Sequence, residues 1–281
     1  MGDVTPPWPG PVTALSIGEG PLAGSVLMTG PDGTVRAVEL ADASPRGRAP
    51  LACLPAGGLT ILPDGTLLML DENGRIQAES AWAARPAGSG IAGLLDDGPT
   101  SAQRLVAAVQ GHTGTAVASA TGHDAGIIAI GSGSGTVEIL GDIADSARLH
   151  NGPVNALAAI RLPLEGEASL PFVYSGGADG TVRAWAPGNA PMDAPVLQRS
   201  CPVVSLDAAS TQHGPAAVVA WGDGAVDWIQ WDTGEQQTFR PGPPVRAVAL
   251  AADNRVVVAM DEALTCLVPK QPRLGGDPAP V

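Results

Sequence analysis

A five-residue phrase recurs along this chain of 281 residues and limits what the chain can become. Gly33-Thr34-Val35-Arg36-Ala37 returns as Gly180-Thr181-Val182-Arg183-Ala184, with a close variant at Gly135-Thr136-Val137-Glu138-Ile139. Each copy follows an apolar run and a glycine-rich tight turn, the pattern of a β-hairpin. Weaker copies are Asn73-Gly74-Arg75-Ile76, Asp223-Gly224-Ala225-Val226 and Asp261-Glu262-Ala263-Leu264. The second residues of these turns, at 33, 74, 135, 180, 224 and 262, are separated by 41, 61, 45, 44 and 38 residues. One four-stranded propeller blade takes about 40–45 residues, so the spacing predicts an all-β propeller. The long step, from Arg75 to Gly135, holds either one blade with an insertion or two blades. Its extra candidate strands are Ile91–Leu95, Leu105–Gln110 and Thr115–Ala120. Seven blades are expected, with six as the alternative.

Strand patterning agrees. Ala216–Trp221, Arg246–Ala251 and Val256–Met260 are apolar on both strand faces, as sheets covered on both sides require. No long amphipathic helix is expected, and closure of the ring is expected to join the first and last strands.

The segment from His150 is the best preserved unit. It reads His150-Asn151-Gly152-Pro153-Val154-Asn155-Ala156-Leu157, then Phe172-Val173-Tyr174-Ser175-Gly176-Gly177-Ala178-Asp179-Gly180-Thr181-Val182-Arg183-Ala184-Trp185. This resembles the WD40 repeat, which implies a hydrogen-bonded structural tetrad of His150, Ser175, Asp179 and Trp185. An imidazole between a carboxylate and a hydroxyl satisfies buried polar groups, and an indole N–H needs an acceptor. Other units depart from the pattern. Around Gly111-His112-Thr113-Gly114 the Asp position is Ser134 and the Trp position is Leu140. The unit ending at Trp231-Asp232 has a shorter turn, and the first, second and last lack the His and Trp. The resemblance spans residues 11 to 268. The expected organisation is one WD40-like propeller over 1–270 and a Pro/Gly-rich tail over 271–281.

Composition bounds the partners. A formal net charge of −13 disfavours nucleic acid and anionic lipid. Met1 to Gly10 has neither a basic nor an apolar leader region, no run of about eighteen apolar residues occurs, and Pro6 breaks a myristoylation motif. A cytoplasmic protein is therefore expected. Cys53, Cys201 and Cys266 are odd in number and far apart, which suits reduced structural thiols.

Searches for chemistry give little. Asp96-Asp97 and Asp261-Glu262 are adjacent pairs in turns, so they read as solvated turn residues. His112 and His150 fit blade positions, while His123 and His213 fall in turns without partners at metal-ligand spacing. Gly131-Ser132-Gly133-Ser134-Gly135 precedes a strand, so it is a hairpin turn and not a phosphate loop. No nucleophile elbow occurs. Of six Trp, Trp185 and Trp231 are placed in the core, and Trp8, Trp82, Trp221 and Trp228 remain candidates for partner binding. The expected function is a non-enzymatic, cofactor-free scaffold, monomeric as a propeller, presenting its loop rims to proteins with a neutral or basic surface. The alternative is an enzyme or small-ligand binder with a dispersed site at the channel mouth.

Overall fold

A computed structural model describes residues 3–4, 11–80, 82, 99–122, 125–163, 169–242, 244–261 and 263–270. The chain begins with β1 (Asp3–Val4). The first sheet then follows as β2 (Ala14–Ile17), β3 (Ser25–Thr29), β4 (Thr34–Glu39) and β5 (Pro45–Pro50). The second holds β6 (Pro55–Ile61), β7 (Leu67–Asp71) and β8 (Ile76–Glu79), and a helix, α1 (Ser101–Val109), comes next. The third comprises β9 (Ala116–Thr121), β10 (Gly126–Gly131), β11 (Thr136–Gly141) and β12 (Asp145–Arg148). The fourth comprises β13 (Val154–Pro163), β14 (Ser169–Gly177), β15 (Thr181–Trp185) and β16 (Leu197–Gln198). In the fifth are β17 (Val203–Thr211), β18 (Gly214–Trp221), β19 (Val226–Gln230) and β20 (Glu235–Phe239), and in the sixth β21 (Val245–Leu250), β22 (Val256–Met260) and β23 (Leu264–Leu267). Strand β1 completes the sixth sheet by pairing antiparallel with β23, Asp3 opposite Thr265 and Val4 opposite Leu264.

The result is a six-bladed propeller, and the expectation of seven is corrected. The long repeat step contains one blade, and α1 lies where a further strand was expected at Leu105–Gln110. Of the other two expected pieces, Thr115–Ala120 corresponds to β9, and Ile91–Leu95 lies outside the described residues. The helix has a physical cause visible in the sequence. Thr100 Oγ1 accepts from Gln103 N at 3.2 Å and Gln103 Oε1 from Thr100 N at 2.9 Å, a capping box. Ala102, Leu105 and Val109 then recur on one buried face, the helical and not the strand period. Leu105 is seated by two glycines: a Cβ added to Gly126 or Gly141 would stand 2.8 Å from one of its methyls.

Blades stack because both sheet faces are apolar. One apolar cluster fills each gap. Between blades 1 and 2 it includes Leu27, Leu67 and Met69, and between 2 and 3 Leu68, Ile128 and Leu105. Blades 3 and 4 bury Ile127, Ile139 and Trp185, and blades 4 and 5 Tyr174, Val219 and Trp221. Trp228 and Val258 fill the gap between 5 and 6, and Met28 with Ala249 that between 6 and 1.

Two outcomes test this packing. Leu105→Ala should destabilise the protein by about 2–4 kcal/mol in urea unfolding, since the cavity would lie between two rigid glycine-floored strands. Truncation after Lys270, whose N–H donates to Gln237 Oε1 at 2.8 Å, should leave the melting curve unchanged.

Candidate functional site

The first strand of every blade lines a central cavity of about 660 Å³. All six strands enter from one rim and leave at the other, because each blade repeats the same antiparallel order. Their inner edges face the cavity with backbone groups that no strand pairs, and side chains from the neighbouring blade close several of them. Ser205 Oγ accepts from Val248 N at 3.1 Å and Asp207 Oδ2 from Leu250 N at 2.8 Å, tying blade 5 to blade 6. Asn155 Nδ2 donates to Val203 O at 2.9 Å, and Thr115 Oγ1 to Val154 O at 2.6 Å. Thr60 and Ser119 join their hydroxyls at 2.7 Å between blades 2 and 3. Small Ala, Gly, Ser and Thr side chains predominate in the wall.

A bulge marks the entry of four first strands. Register shifts fall between Pro55 and Gly57, Val154 and Ala156, Val203 and Ser205, and Val245 and Ala247. The extra residue, Ala56, Asn155, Val204 or Arg246, lines the channel at its entry end. Bulges re-aim side chains in this way next to functional surfaces. Val204 is 37% exposed there, and Arg246 Nε holds Asp261 Oδ1 at 2.6 Å. Leu54, 53% exposed, stands in the turn before β6 on the same rim.

The same rim carries the His150 network. The imidazole is 2% exposed; Nδ1 lies 3.1 Å from Asp179 Oδ1 and 3.0 Å from Thr181 Oγ1, and Nε2 lies 2.8 Å from Ser175 Oγ. Asn151 N donates to Asp179 Oδ2 at 2.9 Å, fixing the turn against the preceding loop. Gly177 makes the room, since a Cβ there would stand 2.3 Å from His150 Nδ1. Burial holds the imidazole below its ordinary pKa against the opposing pull of Asp179, so it is neutral at pH 7. Burial acts to raise Asp179, but hydrogen bonds from Asn151 N, Thr181 and His150 outweigh it and hold the carboxyl down at about 2. Trp185 is corrected: its indole donates to Asn189 O at 2.8 Å, outside this network. Thr181 stands where the sequence reading placed no member.

Blade 5 holds a second network that sequence reasoning missed. Arg199-Ser200-Cys201-Pro202-Val203 aligns with His150-Asn151-Gly152-Pro153-Val154, and Trp221 stands where Gly177 does, opposite the valine. Arg199 grips the buried Asp227 carboxylate with Nε at 3.1 Å and Nη2 at 3.0 Å. Trp221 Nε1 donates to Asp227 Oδ2 at 2.9 Å, and Thr238 Oγ1 to Oδ1 at 2.6 Å. The guanidinium carbon lies 5.5 Å from the Trp221 ring centroid. The Pro-Val pair after each basic residue was the available signal.

Trp221 and Trp228, 1% and 2% exposed, are core residues and not contacts for a partner, which corrects that expectation. Each fills an interblade gap that only a large side chain reaches. Trp82 is half-buried against blade 1, and Trp8, His123 and Asp96-Asp97 lie outside the described residues. Trp231 is partly buried and stacks on Tyr174 at 5.4 Å. His112 is half-buried, and its Nδ1 is an interior atom without a partner, because Ile130 and Ser134 stand where blade 4 has Ser175 and Asp179. His213 is exposed at the exit rim. The three cysteines are free and half-buried rather than in the core. Among the described residues no group of three or more His, Cys, Asp or Glu is placed to hold a metal ion.

At the exit end the channel gathers Glu19, Asp207 and Arg161. Glu19 Oε2 accepts from Thr121 Oγ1 of blade 3 at 3.4 Å. Arg161 Nε donates to Ser169 Oγ at 2.8 Å, and its carbonyl accepts from Ser210 Oγ at 3.2 Å.

Comparison with known proteins shows the fold. The chain resembles the solved structure of U3-55K with a TM-score of 0.53 and 11% identity, over 92% of this chain and 95% of that one. With the six-blade arrangement, this likeness shows a β-propeller fold. No family model matches the sequence, and no curated protein does.

Both polar networks should prove structural. His150→Ala strands Ser175 and removes one partner of Asp179, and should cost about 1–3 kcal/mol in thermal unfolding. Asp227→Ala leaves Arg199 and the Trp221 indole unpaired and should cost more, toward the lower end of about 3–5 kcal/mol because Arg199 is partly solvated.

Proposed function

We propose that the protein is a cytoplasmic, monomeric interaction scaffold, which takes a protein partner with a neutral or basic contact surface on its entry rim. One observation carries the reading. On that rim the groups suited to chemistry, His150, Asp179, Arg199 and Asp227, are engaged in holding blades, while the apolar side chains Leu54 of blade 2 and Val204 of blade 5 are exposed on a rim that also carries the ion pairs Arg246–Asp261 and Arg240–Asp223. Exposed apolar residues rimmed by charge are the surface of a protein interface. WD40-type propellers commonly serve as protein-interaction scaffolds, and the six-blade architecture is consistent with that use. The net charge of −13 favours cationic partners through faster encounter. No helix among the described residues is long and apolar enough to cross a membrane.

A second reading has its own support. Carboxylates and Arg161 converge at the exit end of a cavity of about 660 Å³, which suits a channel holding a small polar ligand.

A partner captured by affinity purification discriminates the two. Leu54→Asp and Val204→Asp should each weaken its binding at least tenfold without lowering the melting temperature, whereas Glu19→Gln should leave it unchanged. Association should slow as salt rises from about 0.05 to 0.5 M, and dissociation should barely change. A partner insensitive to both rim substitutions and lost with Glu19→Gln would favour the channel reading.

A further inference from the structure

One hairpin turn of the entry rim departs from the other five. In blades 1, 2, 4, 5 and 6 a carboxylate stands in or at the head of the turn between the second and third strands: Asp32, Asp71, Asp179, Asp223 and Asp261. Four of these accept an N–H at the start of the next strand, from Thr34 at 3.2 Å, Arg75 at 2.9 Å, Thr181 at 3.1 Å and Ala225 at 3.0 Å. The turn of blade 3 reads Ser132-Gly133-Ser134-Gly135 and has no carboxylate. There Ser132 Oγ accepts the corresponding N–H, that of Thr136, at 3.1 Å. Ser134 takes the place of Asp179, each being followed by Gly and Thr, and it is exposed. Its Oγ lies 2.8 Å from Ser132 Oγ and 3.3 Å from Thr136 Oγ1.

Blade 4 shows what the missing carboxylate does. Asp179 ties its turn to the segment before the first strand, accepting Asn151 N at 2.9 Å and meeting His150 Nδ1 at 3.1 Å. The corresponding residues of blade 3 are Thr113 and His112, and His112, like His150, is the fourth residue ahead of its first strand. Its Nδ1 is an interior atom without a partner. The turn itself is firmly placed. Val154 N donates to Ser132 O at 3.0 Å, and Leu149 N and His150 N donate to Gly135 O at 2.9 and 3.1 Å. A group added to Ser134 is therefore held against the blade and not on a free loop.

We propose that Ser134 is a phosphorylation site whose phosphate supplies the anion that blade 3 lacks, locking the turn onto the His112–Thr113 segment. The proposal does not depend on what the rim binds. The phosphate comes from a nucleoside triphosphate bound by a serine kinase. Ser134 Oγ attacks the γ-phosphorus, and the new Oγ–P bond forms as the bond from that phosphorus to the β–γ bridging oxygen breaks. The nucleoside diphosphate leaves, and the hydroxyl proton passes to the base of the kinase. The product carries a charge of about −1.5 to −2 at pH 7 and three acceptor oxygens, enough to take the Thr136 and Ser132 hydroxyls and the His112 imidazolium together. Its reach matters as well. Ser132 stands where blade 4 has Gly177, and a Cβ on Gly177 would lie 2.3 Å from His150 Nδ1, so His112 cannot sit where His150 does. A phosphate extends one bond farther than the Asp179 carboxylate and spans that difference. Arg148, directly across from Thr136 on β12, adds to the attraction, and Glu138, farther along β11, opposes it.

Two measurements test the two halves of the proposal. Protein purified from its source organism and mapped by mass spectrometry should carry phosphate on Ser134, and its absence from that residue would overturn the assignment. The lock is tested on the full chain with phosphoserine incorporated at position 134 during translation. Followed by phosphorus NMR, this phosphate should lose its last proton well below the ordinary pKa of about 6, because the surrounding donors favour the dianion. The melting temperature should rise by on the order of a few degrees over that of the unmodified protein. His112→Ala should remove most of both effects, and where that variant is unstable Thr136→Val takes away a donor instead. Phosphoserine placed at the exposed Ser146 should produce neither effect. A phosphate at 134 that titrates at its ordinary value, or leaves the melting temperature unchanged, would overturn the lock.

Discussion

Sheets that are apolar on both faces have no stable arrangement except between two neighbours, and that constraint generates everything else in this protein. Met28 and Leu27 are consecutive in β3 and point to opposite gaps, one toward blade 6 and the other toward blade 2. Five such sheets would leave two faces in water, and a closed ring leaves none. Closure in turn places the first strand of every blade at the centre with an unpaired inner edge. The bonds from Ser205, Asp207, Asn155 and Thr115 answer that need, so the channel wall is as much a seam as a surface.

The same constraint explains where polar chemistry sits. A histidine or an arginine in the loop before a first strand sits at the gap between sheets, where blades 4 and 5 supply it with partners and blade 3 leaves His112 Nδ1 without one. Blade 4 solves this with neutral imidazole, carboxylate and hydroxyls, and blade 5 with a guanidinium, a carboxylate and an indole. The two solutions share the position of the basic residue and the use of an Asp, but the carboxylate comes from the turn before β15 in blade 4 and from β19 itself in blade 5. What stays free to meet another molecule is what the seams do not use, Leu54 and Val204 on the entry rim among them.

Much of the fold was legible in the sequence because turns repeat even when strands do not. Gly33, Gly135 and Gly180 all adopt positive φ, which favours a glycine at the same place in blades 1, 3 and 4. The blade count misled because residue spacing measures chain length and not strand number. The excess between Arg75 and Gly135 includes α1, whose capping box, Thr100 followed by Gln103, stands in the sequence just ahead of the apolar run. Of the site, His150, Ser175 and Asp179 were legible through their resemblance to a repeat. Asp227 and Arg199 were not, since their meeting depends on strand register in three dimensions. Trp221 and Trp228 stayed open between core and partner binding because composition alone cannot distinguish a gap between sheets from a surface. Glu19 and Asp207 are 188 residues apart in sequence and line one channel only because the ring closes.

Hydrogen exchange at two backbone amides tests the account most directly. Val248 and Leu250 point their N–H groups away from β22 and toward the channel, where no strand lies. If side chains of the adjacent blade close the inner edges, these two amides should exchange about as slowly as paired amides of β22, and Ser205→Ala should selectively accelerate Val248. Rapid exchange of both in the native protein, at the rate of exposed loops, would contradict it.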